Sequence, residues 1–275
     1  MNEILAPRPP NEELRAKAVV KTGLIDAPKP EMFQVYCDLA KEITGFKDAD
    51  FSLFDGEVQC NISNAGSDDF EIGEKSSRHE FNICSYVLLD SEPLLMHDIE
   101  KDPTWKNHPK ILDGTSEVRG YAGFPVINKD NYALGTLCMS DPKPMSIADD
   151  KIILVKKISS NIAHLLDVHS DQKELTSQKI LEALDVFQKE EKDFTLNDFK
   201  SFLHLCADMT LETNEAMALS RRGLCAPDDH NKMSLTSEGR YLQSRMQLGT
   251  KPMKRLKLRG NAAESLIDEM FANLN

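Results

Sequence analysis

Gly120-Tyr121-Ala122-Gly123-Phe124-Pro125-Val126-Ile127-Asn128 and Tyr132-Ala133-Leu134-Gly135-Thr136-Leu137-Cys138-Met139-Ser140 are two apolar runs separated only by Lys129-Asp130-Asn131. Two such runs joined by a short polar tip predict the antiparallel strands of one hairpin. Upstream, Phe51, Leu53 and Val58–Ile62 have strand character around the turn signal Asp55-Gly56, and Leu94–Ile99 reads as a further strand. Helices frame these strands. Asn11–Thr22 reads as one, with Asn11 as N-cap, Glu12 and Glu13 in the first turn and Gly23 as its stop. Glu31–Thr44 reads as a second, its apolar face set by Met32, Val35, Tyr36, Leu39, Ala40 and Ile43. A short helix is expected over Glu80–Leu89, with loops over Ser63–Glu74 and Asp102–Gly114.

Beyond Pro144 the period changes to that of a long helix, with Ser146 as N-cap and Asp149 three residues on. Ile152, Val155, Ile158, Ile162 and Leu165 keep three-four spacing, and Ile180, Leu184 and Phe187 resume it; the polar stretch Ser170–Ser177 between them is a candidate hinge. Such a stripe packs on its own domain or forms a dimer seam. Four more helices are expected: Leu196–Ala207 behind Thr195, Thr210–Arg222 ended by Gly223, Glu238–Leu248 behind Thr236 or Ser237, and Ala262–Leu274. The expected fold class is α+β: an antiparallel sheet with helices packed on it, then a long helix and a small, mainly helical C-terminal module. The expected divisions are a flexible lead at 1–12, a domain at 13–168, a helical linker at 169–192 and the C-terminal module at 193–275.

Bulk composition narrows the function. Hydrophobic residues make up 40% of the 275-residue chain, enough for a core, and the net charge of −12 argues against a surface built as a whole for nucleic acid. No apolar run approaches the roughly 20 residues of a membrane span. Met1–Pro10 holds three prolines and no apolar signal segment, so a cytoplasmic location is expected. The six cysteines are widely spaced with no CxxC pair, which suggests neither zinc nor a redox couple.

The hairpin also resembles a known family. Val118-Arg119-Gly120-Tyr121-Ala122-Gly123-Phe124-Pro125-Val126 resembles the R-F-Y-A-G-x-P-L strand of GAF domains, and Leu134-Gly135-Thr136-Leu137-Cys138-Met139-Ser140-Asp141 resembles the L-G-T-L-C-V-x-D strand that follows it. Leu24-Ile25-Asp26-Ala27-Pro28 resembles the L-L-D-T-P entry of a subgroup found in bacterial signalling proteins. The resemblance covers about residues 13–168 and implies a sensory domain with a small-molecule pocket, roofed by the 80–115 segment. By that resemblance Phe54, Phe81, Cys84, Met96 and Trp105 line the pocket, together with Tyr121, Phe124, Thr136 and Met139. Gly120 stands where the family has a bulky aromatic, which predicts a wider pocket, and Asn82-Ile83 separates Phe81 from Cys84, which the subgroup often has adjacent.

Cys84 is the reactive candidate. Bilin-binding members often carry histidine after their cysteine, whereas Ser85 stands here. Members that reduce free methionine sulfoxide cluster their cysteines, and none lies between Cys84 and Cys138. A buried, inert Cys84 is therefore expected, with a reductase using it as an alternative. His79, His97 and His108, with Asp98 and Asp102, match no metal motif and read as solvated loop residues. No P-loop, dinucleotide glycine motif or nucleophile elbow appears. The chain is expected not to be an enzyme, and to need no cofactor.

In the C-terminal module, Arg221-Arg222-Gly223-Leu224, Pro227-Asp228-Asp229-His230 and Ser234-Leu235-Thr236-Ser237-Glu238-Gly239-Arg240 resemble the end of a winged-helix DNA-binding domain. From Leu219 to Arg259, ten Lys or Arg stand against three acids. Arg221, Arg222, Lys232, Lys254, Arg255, Lys257 and Arg259 are the candidate phosphate contacts. A solvated bundle with a basic tail is the alternative. The reading is a regulatory protein whose partners are a small molecule, a second copy bound through the long helix, and DNA or protein at the C-terminal module, with no membrane.

Overall fold

A computed structural model of the chain describes residues 8–66, 71–79, 82–191 and 193–248. The chain forms two compact units that divide between Gln172 and Lys173.

The first unit is built on a six-stranded sheet. Its strands are β1 (Asp48–Phe54), β2 (Val58–Ala65), β3 (Lys75–Ser77), β4 (Leu94–Met96), β5 (Gly120–Ile127) and β6 (Ala133–Asp141), in the order β3-β2-β1-β6-β5-β4. Every pairing is antiparallel. The hairpin expected from the two apolar runs is β5–β6, with Gly123 opposite Cys138 and Phe124 opposite Leu137. Pro125 lies beyond the reach of β4, which pairs only with Tyr121–Gly123, so its missing N–H removes no bond to β4. Gly135 is required by contact: a Cβ there would run into the Ser52 carbonyl of neighbouring β1.

One face of the sheet carries α1 (Glu12–Thr22), α2 (Gln34–Thr44) and the first half of α5 (Asp149–Glu190). The core there holds Val19, Phe33, Cys37, Phe51, Leu53 and Ile62, with Phe124, Leu137, Met139, Val155, Ile162 and Leu166. The buried face of α2 differs in part from expectation. On α2, Cys37, Ala40 and Thr44 are buried, with Phe33 in the turn just before it, and the expected Tyr36 and Ile43 pack against the same core, while the expected Met32, Val35 and Leu39 stay exposed. On α1 the buried side is Arg15, Val19 and Thr22. Asn11 makes no side-chain capping bond, and α1 ends as expected on left-handed Gly23 at φ +68°.

The other face carries short pieces: α3 (Cys84–Val87) and α4 (Pro109–Leu112). The helix expected over Glu80–Leu89 shrinks to one turn, α4 forms inside the stretch read as a loop over Asp102–Gly114, β2 runs on to Ala65 within the loop expected over Ser63–Glu74, and β3 falls where no element was expected. Gly120 does not widen a pocket. A Cβ there would lie 2.7 Å from the Met145 Cβ and 2.8 Å from the Lys143 carbonyl, because the chain after β6 folds across it.

Helix α5 runs 42 residues and is helical straight through Ser170–Ser177, so that stretch forms no break. It starts at Asp149 rather than behind Ser146, whose hydroxyl is instead bonded to His97 Nδ1 at 2.8 Å. The second unit packs α5 residues Ile180, Ala183 and Phe187 with α6 (Leu196–Cys206), α7 (Thr213–Arg221) and α8 (Ser237–Arg245). Thr195 and Asp198 form the capping box of α6. A small antiparallel hairpin, β7 (Cys225–Pro227) and β8 (Met233–Leu235), stands between α7 and α8. Among the described residues no helix is long and apolar enough to cross a membrane. The terminal helix expected over Ala262–Leu274 lies outside them.

Candidate functional site

Strand alternation builds the site. On β1, Asp50 and Ser52 point away from the helix-side core that Ala49, Phe51 and Leu53 enter. On β2, Gln59 and Asn61 do the same opposite Phe54 and Ser52. These polar side chains floor a cavity of about 400 Å³ that opens to solvent. Its rim comes from Ser76 and Ser77 of β3, from Asn82, Ile83 and Cys84, and from Lys110 of α4. Ser140 and Tyr121 complete the wall. That volume falls in the range of small-molecule sites. The floor is tied internally: Gln59 Nε2 donates to the Ser52 hydroxyl at 3.1 Å, and Asn82 donates to Gln59 Oε1.

The pocket residues expected from sequence separate into groups. Cys84 and Tyr121 line the cavity. Met96 and Trp105 sit behind it in a small core with Tyr121 and Cys138, where Trp105 meets the Tyr86 ring edge-on at 4.6 Å. Thr136 is fully buried and accepts a bond from the Cys138 thiol at 3.2 Å. Phe54 is fully buried, with the Arg78 guanidinium 5.7 Å from its ring centre. Phe124 and Met139 are corrections: both belong to the core beneath the helices, because the two-residue period of β5 and β6 turns them away from Tyr121 and Cys138. Phe81 lies outside the described residues. The polar floor was missed, although Asp50-x-Ser52 and Gln59-x-Asn61 stand at strand spacing between apolar neighbours.

The cysteines are also a correction. Fifty-four positions apart, Cys84 and Cys138 bring their sulfurs to 3.3 Å. The Tyr121 hydroxyl lies 3.0 Å from Cys138 Sγ. Burial, and then the neighbouring Cys84, push the Cys138 thiol well above its ordinary range. Tyr121 is raised as well, by burial and then by Cys138. Asp50 keeps some surface on the cavity, yet protein crowds its carboxyl, and that burial pushes it up to about 7.

Two residues read as solvated are buried. Asp98 accepts from Arg119 Nε and Nη2 at 3.0 and 2.8 Å, and His108 Nδ1 accepts the Lys110 N–H at 3.2 Å as the cap of α4. The first pair ties the segment after β4 to the residue before β5, and the second caps α4.

In the second unit the expected phosphate contacts are partly engaged already. Arg222 stacks 4.1 Å above the Phe194 ring and bonds Glu191 at 3.1 Å, and Lys232 donates to the Asp208 carbonyl at 3.3 Å. Arg221 is exposed and meets only its own helix neighbour Met217 among the bonds found for it. Lys254, Arg255, Lys257 and Arg259 lie outside the described residues.

The chain is similar to several known proteins. The chain is 28% identical over 138 residues to a cyclic di-GMP phosphodiesterase of Pseudomonas aeruginosa, a match over 50% of this chain and 22% of that protein. The chain thus spans about a fifth of that relative's length. The expectation that the chain is not an enzyme is corrected by this relative, which is one; an enzyme role is left open. Similar solved structures include the GAF domain of an Acinetobacter phosphoenolpyruvate-protein phosphotransferase, at 11% identity and a TM-score of 0.43 over 56% of this chain and 91% of that one. Another is the free methionine-R-sulfoxide reductase of Thermoplasma acidophilum, at 15% identity and a TM-score of 0.38 over 53% of this chain and 94% of that one. The sequence profile described as GAF domain matches residues 26–167, more than half of the chain. The chain belongs to the GAF domain family.

Proposed function

We propose that the chain is a cytoplasmic signalling protein whose GAF domain takes a small polar molecule into the cavity above β1 and β2, and whose long helix α5 carries the response to the C-terminal unit. The observation that carries this reading is the cavity of about 400 Å³ floored by Asp50, Ser52, Gln59 and Asn61, polar groups that a strand usually reserves for solvent. The relative from Pseudomonas aeruginosa, a cyclic di-GMP phosphodiesterase, supports the signalling role. A ligand can act here only by binding one conformation better than another. Native mass spectrometry of the full chain tests the reading. A co-purified small molecule, lost on Ser52→Leu, which fills the floor, is the expected result. A chain that carries nothing and whose Tm is unmoved by a panel of small polar metabolites overturns it.

A second reading, a transcription regulator, is favoured by the β7–β8 hairpin between α7 and α8, with Arg221 exposed at the end of α7. It expects a salt-dependent DNA shift that weakens on Arg221→Ala. No shift at low salt removes it.

A further inference from the structure

Asp50, Cys84 and Cys138 bring one carboxylate oxygen and two sulfurs within 4.8 Å of one another. The three donors come from β1, α3 and β6, so the fold and not a local sequence motif assembles them. We propose that they form a binding site for a soft divalent cation of the zinc class, with a fourth coordination position open to the cavity. Cys84 and Asp50 line that cavity, which gives the ion an entry path.

The sulfur spacing decides between two uses of the pair. Around a tetrahedral zinc with Zn–S near ~2.3 Å, two sulfurs stand ~3.8 Å apart. A disulfide brings them to ~2.05 Å. The observed 3.3 Å needs about half an ångström of opening for the first and more than one of closing for the second. The groups behind the donors suit ligands that must be held in place. The Tyr121 hydroxyl and Thr136 Oγ1 lie 3.0 and 3.2 Å from Cys138 Sγ, and the Ser52 hydroxyl donates to Asp50 Oδ2 at 3.4 Å. Charge points the same way. Asp50 and Glu74 line the cavity, and Lys110 is the single Lys or Arg among the described residues that do, so the lining does not repel a cation. Two sulfur donors favour zinc-class ions over magnesium or calcium, which take oxygen. As each metal–sulfur bond forms, the thiol releases its proton to solvent; nothing is oxidised or reduced.

Titration of the reduced full chain with cobalt(II) under argon tests the assignment. The expected result is a near-ultraviolet thiolate-to-cobalt band that saturates at about one cobalt per chain and is displaced by zinc, as a tetrahedral sulfur site requires. Cys84→Ser and Cys138→Ser each lower that band about twofold or more, and Asp50→Asn keeps it but weakens binding about tenfold. Cys225→Ser, in the other unit, leaves it unchanged. Should Cys138→Ser misfold, the half-exposed Cys84 still supplies the readout. Absence of the band, or a band indifferent to Cys84→Ser, overturns the proposal. So does loss of both thiols to a disulfide in air at the same rate with and without zinc. None of these outcomes depends on whether the cavity also takes an organic ligand.

Discussion

The Arg15 guanidinium sends Nη1 to the Phe54 and Ala133 carbonyls at 2.5 and 3.2 Å and Nη2 to the Asp55 carbonyl at 2.9 Å. It thereby pins α1 across the ends of β1 and β6. Glu12 answers its charge at 2.8 Å and also accepts from the buried Arg78 at 2.5 Å. Arg15→Met leaves Arg78 and three carbonyls to rearrange, and a loss of about 3–5 kcal/mol is expected in denaturant unfolding, as for a broken buried pair. Burial alone would raise the Glu12 carboxyl, but Arg15 and then Arg78 outweigh it and hold it below the ordinary range. A lowered folded value contributes stability that is present above the unfolded pKa and lost as pH falls through the folded one. Glu12→Gln should therefore lower the Tm at neutral pH and flatten its fall in acid, as the wild-type glutamate is itself protonated there. Equal Tm losses at pH 7 and pH 3 would contradict that account. Tight approach is as demanding as charge: Gly135→Ala drives its Cβ into the Ser52 carbonyl, and about 1–3 kcal/mol of destabilisation is expected by calorimetry. Gly135 was legible, because a glycine inside a strand run signals close approach. Arg15 was not, because a search for apolar periodicity passes over an arginine that buries its charge among carbonyls.

Elements were readable wherever one period dominated. The β5–β6 hairpin follows from its two apolar runs, and α6 follows from Thr195 ahead of an apolar face. Helix α2 shows the limit. The expected face is half right: Tyr36, Ala40 and Ile43 do meet the core, but Met32, Val35 and Leu39 stay exposed, while Cys37 and Thr44, which composition does not single out, are buried. The cavity floor was readable in principle from the alternation of β1 and β2. The register slip between Phe51 and Ser52, however, places Ser63 on the helix side, where its hydroxyl donates to Gln34 Oε1 at 3.1 Å, while Asn61 stays with the cavity. The Cys84–Cys138 contact was invisible, since no local spacing encodes a meeting of α3 with β6. The capping box of α6 makes a prediction at this scale. Thr195 Oγ1 accepts the Asp198 N–H at 3.2 Å and Asp198 accepts the Thr195 N–H at 2.8 Å. Thr195→Ala should destabilise the second unit by about 1 kcal/mol. Amide exchange should quicken across α6 while the β5–β6 amides keep their protection, and acceleration in both places would mean the two units unfold together.

For the whole molecule the telling feature is what α5 leaves uncovered. Its inner face divides between two cores, Val155 to Leu166 in the first and Ile180 to Phe187 in the second. Leu154 and Val168 in the first unit and Leu175 in the second are exposed and stand at multiples of seven residues along the sequence, with Asn161 at the remaining position. A heptad row with one polar member is the pattern by which paired helices fix their register, the polar residue giving up some stability for alignment. Apolar side chains repeated along one line of a 42-residue helix are not explained by packing inside either core. The second copy that the sequence reading expects to bind through the long helix would present the same row, and a two-fold pairing would cover it. The prediction is specific. Val168→Glu with Leu175→Glu should convert a dimer to a monomer in sedimentation velocity at micromolar concentration and leave far-ultraviolet dichroism unchanged, because both side chains already face solvent. Asn161→Leu should tighten the pairing or blur its register rather than abolish it, since it removes the polar constraint and adds apolar contact. If the wild-type chain sediments as a monomer, or the double glutamate variant stays dimeric, α5 is not the seam and its outer row must serve some other surface.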